Sequence, residues 1–407
     1  MSGVLIKGVT YKGEVGDFLV SAESITRLGD YSHVIDGTGL LLLPAFHDRH
    51  VHFRDPGQTE KEDVMSGARA AVAGGYTSVL CEPNTRPVID SLEALEAFDA
   101  HVLMNVDGVN IQVKCALTLG QHGKQLVDIA GITANWIREF SSDGEPVVDH
   151  DLLINALRLV RWAPIHLHCE ETPRSHEAVT AALGPGPDMT READLIRLAI
   201  SALEEAGAGW LHIQHVSLGE SARLIAEAKA RGLEITAEVA PHHLLLCKDD
   251  IPLHAGEPDA NWKMNPPLRS REDMMAMRRA FADGTIDWLA TDHAPHTPAE
   301  KAKGWDAAPF GVIGLETAFG AVMSLVHRDE VDFWRYANAI SNMLDLPCEP
   351  IANNVTLVDL DHVWTVDPDQ FYSKGRNCPF AGMTFRGKPM YTIAGGRVVM
   401  AEGEVLF

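Results

Sequence analysis

His50 and His52 stand one residue apart in LLLPAFHDRHVHFRDPG. Successive side chains of a β-strand point to opposite faces, so these two imidazoles share a face and together can hold one metal ion. The turn residues Asp55-Pro56-Gly57 follow and place the pair where a strand runs out into a loop. A lone His-x-His also describes two histidines lining a solvated groove, so the reading depends on ligands from distant segments. Four residues have that chemistry: Asp143 in FSSDG, His168 in HLHCEE, His215 in HIQHVS and Asp292 in ATDHAPH. Each has an ordinary reading too. His168 and His215 lie in apolar runs and fit satisfied core histidines, Asp143-Gly144 is a turn signal, and Asp292 suits a helix cap. Together, four imidazoles and two carboxylates suit Zn²⁺ or a similar divalent ion, with enough ligands for two ions if one carboxylate bridges. Such a site activates water and polarises a carbonyl, and Asp292 is placed to act as general base and then pass the proton to a leaving nitrogen.

A second group suits an anionic substrate. Arg54 shares strand parity with His50 and His52, and its planar guanidinium matches a carboxylate; the alternative is a surface salt bridge with Asp55 or Glu60. Asn84 falls at a strand end, Asn265 in KMNPPLR, and His296 four residues after Asp292.

The elements that must position these residues have a βα rhythm. Strand-like runs occur at 45–53, 76–84, 110–117, 135–144, 164–171, 210–217, 233–243 and 286–296. Amphipathic stretches such as KEDVMSGARAAVAGG, HDLLINALRLVRW, READLIRLAISALEEAG, SARLIAEAKARG and REDMMAMRRAFADG separate most of them. Eight such units predict an α/β fold, a (β/α)₈ TIM-like barrel, with active residues at the C-terminal ends of its strands. Residues 1–44 and 350–407 read as short strands and predict a small accessory β-domain formed by both chain ends, leaving 45–349 for the barrel.

The chain has 407 residues and a formal net charge of −23. That balance argues against nucleic acid or an anionic membrane as partner, while a local cluster of cations still permits an anionic substrate. There is no apolar run long enough to span a membrane and no signal-peptide pattern at the N-terminus, so a cytoplasmic location is expected. Six cysteines without a C-x-x-C pair read as small buried hydrophobes in a reducing compartment.

HVHFRDPGQTEKEDVMSGARAAVAGGYTSVLCEPNTRPVID, HLHCEE, HIQHVS, ITAEVAPHHLLL, KMNPPLRS, DGTIDWLATDHAPHTPAEK, APFGVIGLETAF and KGRNCPF resemble the dihydroorotases of the amidohydrolase superfamily over nearly the whole chain. The resemblance implies reversible hydrolysis of dihydroorotate to N-carbamoyl-aspartate, a step of pyrimidine synthesis, with two zinc ions per chain. It implies one zinc on His50, His52 and Asp292 and the other on His168 and His215. Arg54, Asn84 and His296 would contact the substrate carboxylate, Asn265 the ring, and the stretch around Gly311 would offer backbone groups. Many superfamily members bridge the metals with a carboxylated lysine, but residues 135–144 contain no lysine, and Asp143 matches the aspartate that some dihydroorotases place there. The family also allows a homodimer or an association with aspartate transcarbamoylase.

Related allantoinases and hydantoinases (dihydropyrimidinases) share the His-x-His logic without a ring carboxylate to recognise, and Arg54 favours dihydroorotate. A non-catalytic scaffold for aspartate transcarbamoylase would be expected to lose ligands, and here every position is filled. Three residues depart from the family pattern: Arg49 and Glu82 stand where apolar residues are common, and Ser142 replaces an aspartate. SNMLDLPCEPIANNVTLVDLD, after the barrel, reads as a shortened form of the family segment.

Overall fold

The computed structural model describes residues 3–27, 29–134, 139–183, 191–341 and 353–407. Strands β1 (Phe46–Val51), β2 (Tyr76–Cys81) and β3 (Asn110–Val113) pair in parallel. A short strand at Cys115–Ala116 continues β3 past Lys114 and pairs with β4 (Phe140–Ser141). The parallel order then runs through β5 (Ile165–Leu167), β6 (Leu211–Ile213), β7 (Ile235–Val239) and β8 (Trp288–Leu289). The barrel closes where Val51 bridges His293 in parallel and the His52 N–H donates to the His293 carbonyl at 2.8 Å. Every residue of β1 and β2 is buried, as expected of strands covered on both faces.

The strands are shorter than the apolar runs suggest. β7 was expected to reach His243, yet it ends at Val239, because Pro241 opens the short helix Pro241–Leu245. Of the expected fourth strand, 135–138 lie outside the described residues, and Asp143 comes two residues after β4 ends. Three of the barrel helices begin at side-chain caps: Asp63 accepts from Ser66 N ahead of Val64–Ala73, Asp149 caps His150–Leu159, and Ser270 caps Arg271–Ala282. The helix Leu92–Asn105 is absent from the sequence-based reading. Its apolar residues run around the cylinder, Leu103 and Met104 facing solvent, so no single stripe marks it.

Strands from both chain ends form one nine-stranded sheet. Its seam pairs Leu41–Pro44 antiparallel with Val355–Thr365, Leu42 opposite Leu357. Val4, Ile6, Val9, Leu42, Leu357 and Ile393 pack as its core. The segment expected to be shortened falls mostly at 342–352, outside the described residues. Among the described residues no helix is long and apolar enough to cross a membrane.

Candidate metal centre and substrate mouth

All six ligand candidates meet at one end of the barrel. His50, His52 and Asp143 form one group able to hold an ion, and Asp143, His168 and His215 form a second. Asp143 belongs to both. Its Oδ1 lies 3.4 Å from His50 Nε2, 3.5 Å from His168 Nδ1 and 3.4 Å from His215 Nε2, while its Oδ2 lies 3.5 Å from His52 Nε2. Asp292 Oδ1 stands 3.1 Å from His52 Nε2 and 3.5 Å from His50 Nε2, on the side of the first group. It caps no helix; Thr297 caps the next one.

The atoms fit a metal better than they fit one another. His50 Nε2 is buried without a hydrogen bond of good geometry, although the carboxylates of Asp143, Asp292 and Glu82 stand near it. His168 Nδ1 and His215 Nε2 lie 2.9 Å apart, a distance at which two lone pairs need a proton or a cation between them. His215 and Asp292 both hold positive φ, 34° and 48°, a conformation that costs a non-glycine residue about 1–3 kcal/mol and clusters at functional sites.

The rings are aimed from behind. Glu238 on β7 accepts from His50 Nδ1 at 2.5 Å, and Asn84 Oδ1 accepts from His52 Nδ1 at 3.0 Å. Each bond puts the ring proton on Nδ1 and leaves Nε2 as a ligand lone pair. Asn84 also donates to Asp143 Oδ2 at 3.0 Å, so this residue, expected at the substrate carboxylate, has both ends of its amide engaged among metal-site residues. Burial would raise the pKa of Asp143, but His50, His168 and His215 outweigh it and hold the carboxyl well below its usual range. Burial would likewise lower His50, yet Glu82, Asp143 and Glu238 raise it well above its usual value. Ionised carboxylates around an imidazole drawn toward positive charge mark a place for a cation.

Arg54 reaches the same mouth by another route than expected. Strand parity ends with β1 at Val51, and a turn with φ 58° at Arg54 directs the side chain. Its guanidinium lies 3.4 Å from both the Pro295 carbonyl and His296 Nε2. Neither Asp55 nor Glu60 pairs with it; Asp55 is taken by His101 at 2.9 Å. Burial, then Arg54, Lys61 and Lys301, push the His296 pKa far down, leaving a neutral ring whose Nε2–H donates to the Phe310 carbonyl at 2.7 Å. Asn265 donates to the Glu171 carbonyl at 3.2 Å, and its buried Oδ1 has no partner. Gly311 has φ 136°, and a Cβ there would lie 2.7 Å from the Ala294 carbonyl oxygen, so only glycine fits. Its N–H donates to Lys263 O at 3.0 Å.

Sequence reasoning missed the residues that hold these groups. Asn377, in KGRNCPF, accepts from His296 N at 3.2 Å and donates to the Ala294 and Gly311 carbonyls at 3.0 and 2.9 Å, tying the two substrate segments together. The one available signal for Glu238 was a carboxylate inside an apolar strand, which must be paired to be buried.

The amidohydrolase family pattern matches residues 41–341. Dihydroorotases of Geobacillus sp. (strain WCH70) and Bacillus subtilis (strain 168) are each 37% identical, covering 93% and 96% of this chain and 93% and 95% of their own length. The dihydroorotase of Anaeromyxobacter sp. (strain K) is 39% identical over 94% of this chain and 91% of its own. The chain belongs to the amidohydrolase family, among its dihydroorotases. It is a hydrolase acting on cyclic amides. The solved L-hydantoinase (dihydropyrimidinase) of Arthrobacter aurescens superposes with a TM-score of 0.82 at 23% identity, covering 100% of this chain and 98% of its own. The D-hydantoinase of Thermus sp. gives 0.79 at 22%, covering 99% and 96%. At that identity they establish the barrel with its added sheet.

Against the family pattern, the departures at Arg49 and Glu82 become intelligible. Arg49 pairs with Glu139 inside the barrel and lies 4.8 Å over the Trp288 ring; Glu82 pairs with Lys114. Each unusual charge is one half of a buried pair, the only form in which burial is tolerable. Ser142 Oγ accepts from His168 N at 3.3 Å, supporting a ligand where the family's aspartate would stand.

Proposed function

We propose that this chain is a two-zinc dihydroorotase that opens the cyclic amide of dihydroorotate reversibly to N-carbamoyl-aspartate in pyrimidine synthesis. The observation that carries the reading is Asp143 shared between two histidine pairs, with Arg54 and His296 at the same mouth. His50, His52 and Asp292 would hold one zinc, His168 and His215 the other, and Asp143 would bridge them. Zinc held by these residues would supply water of lowered pKa and polarisation of the ring carbonyl.

The chain's own residues do the rest. Arg54 presents its charge to the substrate carboxylate, with the neutral His296 beside it. The free Oδ1 of Asn265 accepts a ring N–H. Asp292 Oδ takes the proton as the water oxygen bonds to the carbonyl carbon. It then delivers that proton to the ring nitrogen as the C–N bond breaks, and ring closure runs the same steps backward. The proton deficit this role needs is present, because the histidines around Asp292 outweigh burial and hold its carboxyl ionised. The thiols of Cys81, Cys169, Cys247 and Cys378 are free and buried, in accord with a reducing, cytoplasmic setting.

A parallel assay tests the reading. Purified protein with measured zinc content is offered dihydroorotate, allantoin and dihydrouracil. Turnover of dihydroorotate with about two zincs per chain is expected. Preference for a ring without a carboxylate makes the chain a hydantoinase-type enzyme. No turnover with any ring after zinc addition makes it a scaffold.

A further inference from the structure

Glu82 and Lys114 lie outside the ligand set, yet they sit against it. Glu82 follows the last residue of β2, and its side chain is buried to the same degree as the barrel core. It accepts from Lys114 Nζ, from Ser141 Oγ and, at 2.8 Å, from Gln214 Nε2. Ser141 Oγ in turn accepts the Asp143 N–H at 2.9 Å, and Gln214 immediately precedes His215. One carboxylate thus connects the strand ends that carry the bridging aspartate and a ligand of the second group. It also stands 3.9 Å from His50 Nε2, the ligating nitrogen of the first group. Lys114 pairs with Glu82 from the next strand, and among the described residues it forms no ion pair with a ligand candidate. The dipole of the pair therefore points its negative end at the metal groups.

We propose that the Glu82–Lys114 pair sets the metal affinity of this site, Glu82 as a positioning residue that adds negative potential beneath both ion positions and Lys114 as the counter-charge that limits it. The inference rests on reading the histidine groups as a metal centre, and it is independent of which cyclic amide is the substrate. In a low-dielectric interior the nearer charge of such a pair dominates, so removing one partner or the other shifts affinity in opposite directions.

Zinc affinity, measured by chelator competition on the full chain, tests the proposal without reference to turnover. Glu82→Gln keeps the shape of the side chain and is expected to weaken zinc about tenfold, the effect typical of groups supporting metal ligands. Lys114→Met leaves Glu82 uncompensated and is expected to tighten zinc about threefold, the effect of one unscreened charge at a distance. Glu82→Met/Lys114→Met removes both charges and should fall between Glu82→Gln and the unaltered protein, and it keeps the test open if Lys114→Met does not fold. A structural role alone predicts that every variant weakens zinc in proportion to its loss of thermal stability. Such a pattern overturns the proposal, as does an unchanged affinity in Glu82→Gln. Failure of all proteins, including the unaltered one, to bind zinc overturns the metal-centre reading instead.

Discussion

The metal groups and the Arg54 corner face one mouth, but they are built from opposite materials. The ligand candidates hang at strand ends, and the charges around their histidines are carboxylates: Asp143 and Asp292 within the set, Glu238 and Glu82 behind it. The Arg54 corner stands on loops, and its cations are held largely by neutral carbonyls. Arg54 lies against Pro295 O, Lys301 donates to Lys263 O and Pro309 O at 3.1 and 2.9 Å, and Lys263 donates to Asp306 O and Ala308 O. Glu300 is the exception, paired with Lys61 at 2.9 Å. Among the described residues no carboxylate forms an ion pair with Arg54. A carbonyl fixes a cation without neutralising it, so this corner keeps its positive potential for an anionic ligand. The ligand groups hold surplus negative charge that suits metal ions. The mouth is thus divided by charge into a negative part and a positive part.

Substitutions can break that division from either side. The largest expected effect is Asp292→Ala, which should lower turnover about a thousandfold or more while His168 and His215 retain zinc. Near-normal rates with zinc present would remove Asp292 from the proton path. On the other side, Arg54→Met should raise the KM for dihydroorotate about 10–100-fold, the worth of a charged hydrogen-bonded contact, with zinc content unchanged. Loss of metal in this variant would mean the two corners are one structural unit. A smaller effect is expected from Glu238→Gln, which keeps the packing against His212 but weakens the orientation of His50. Zinc affinity should fall about tenfold, and KM at saturating zinc should stay within about twofold of the original. A large change in KM would contradict the separation of the two corners.

The division also governs what could be read from the sequence. The convergence of the ligand candidates was legible because metal chemistry demands particular residue types and the barrel demands that they fall at strand ends; His50, His52, Asp143, His168, His215 and Asp292 meet both demands and come together at one end of the barrel. Arg54 was legible as a cation, but the route was misjudged, since positive φ carries the side chain where strand parity does not reach. Asn84 is assigned by family pattern to the carboxylate, and the sequence does not show that its amide also bonds His52 and Asp143. Asn377 left no local signal, because its value lies in bonds to residues 66 to 83 positions away. Arg49 and Glu82 looked like isolated departures until Glu139 and Lys114 appeared beside them. Pairing across a barrel is a property of three dimensions, and a single sequence shows each partner alone. The strand ends were overrun for a related reason: apolar residues continue past the last ladder bond, and only Pro241 marked an end in advance.

The finest test of the charge division uses pH. Burial, followed by the neighbouring cations Lys263 and Arg54, pushes the Lys301 pKa down to about 7. Lys301 is therefore charged below that pH and neutral above it, while Arg54 remains a cation and His296 remains neutral. The neutral amine can still donate to Lys263 O and Pro309 O, so the corner loses charge without losing its shape. For folding, the unfolded chain binds this proton between about 7 and 10.5 and the folded chain does not, so the contribution of Lys301 to stability rises with pH across that window. For binding, the sign is the reverse: the KM for dihydroorotate should rise about threefold from about pH 6 to about pH 8.5, a screened loss of roughly 0.6 kcal/mol. Lys301→Met should flatten that dependence whatever its absolute KM. A slope that survives the substitution would place the titrating group among the metal ligands, and the positive corner would then owe its anion affinity to Arg54 alone.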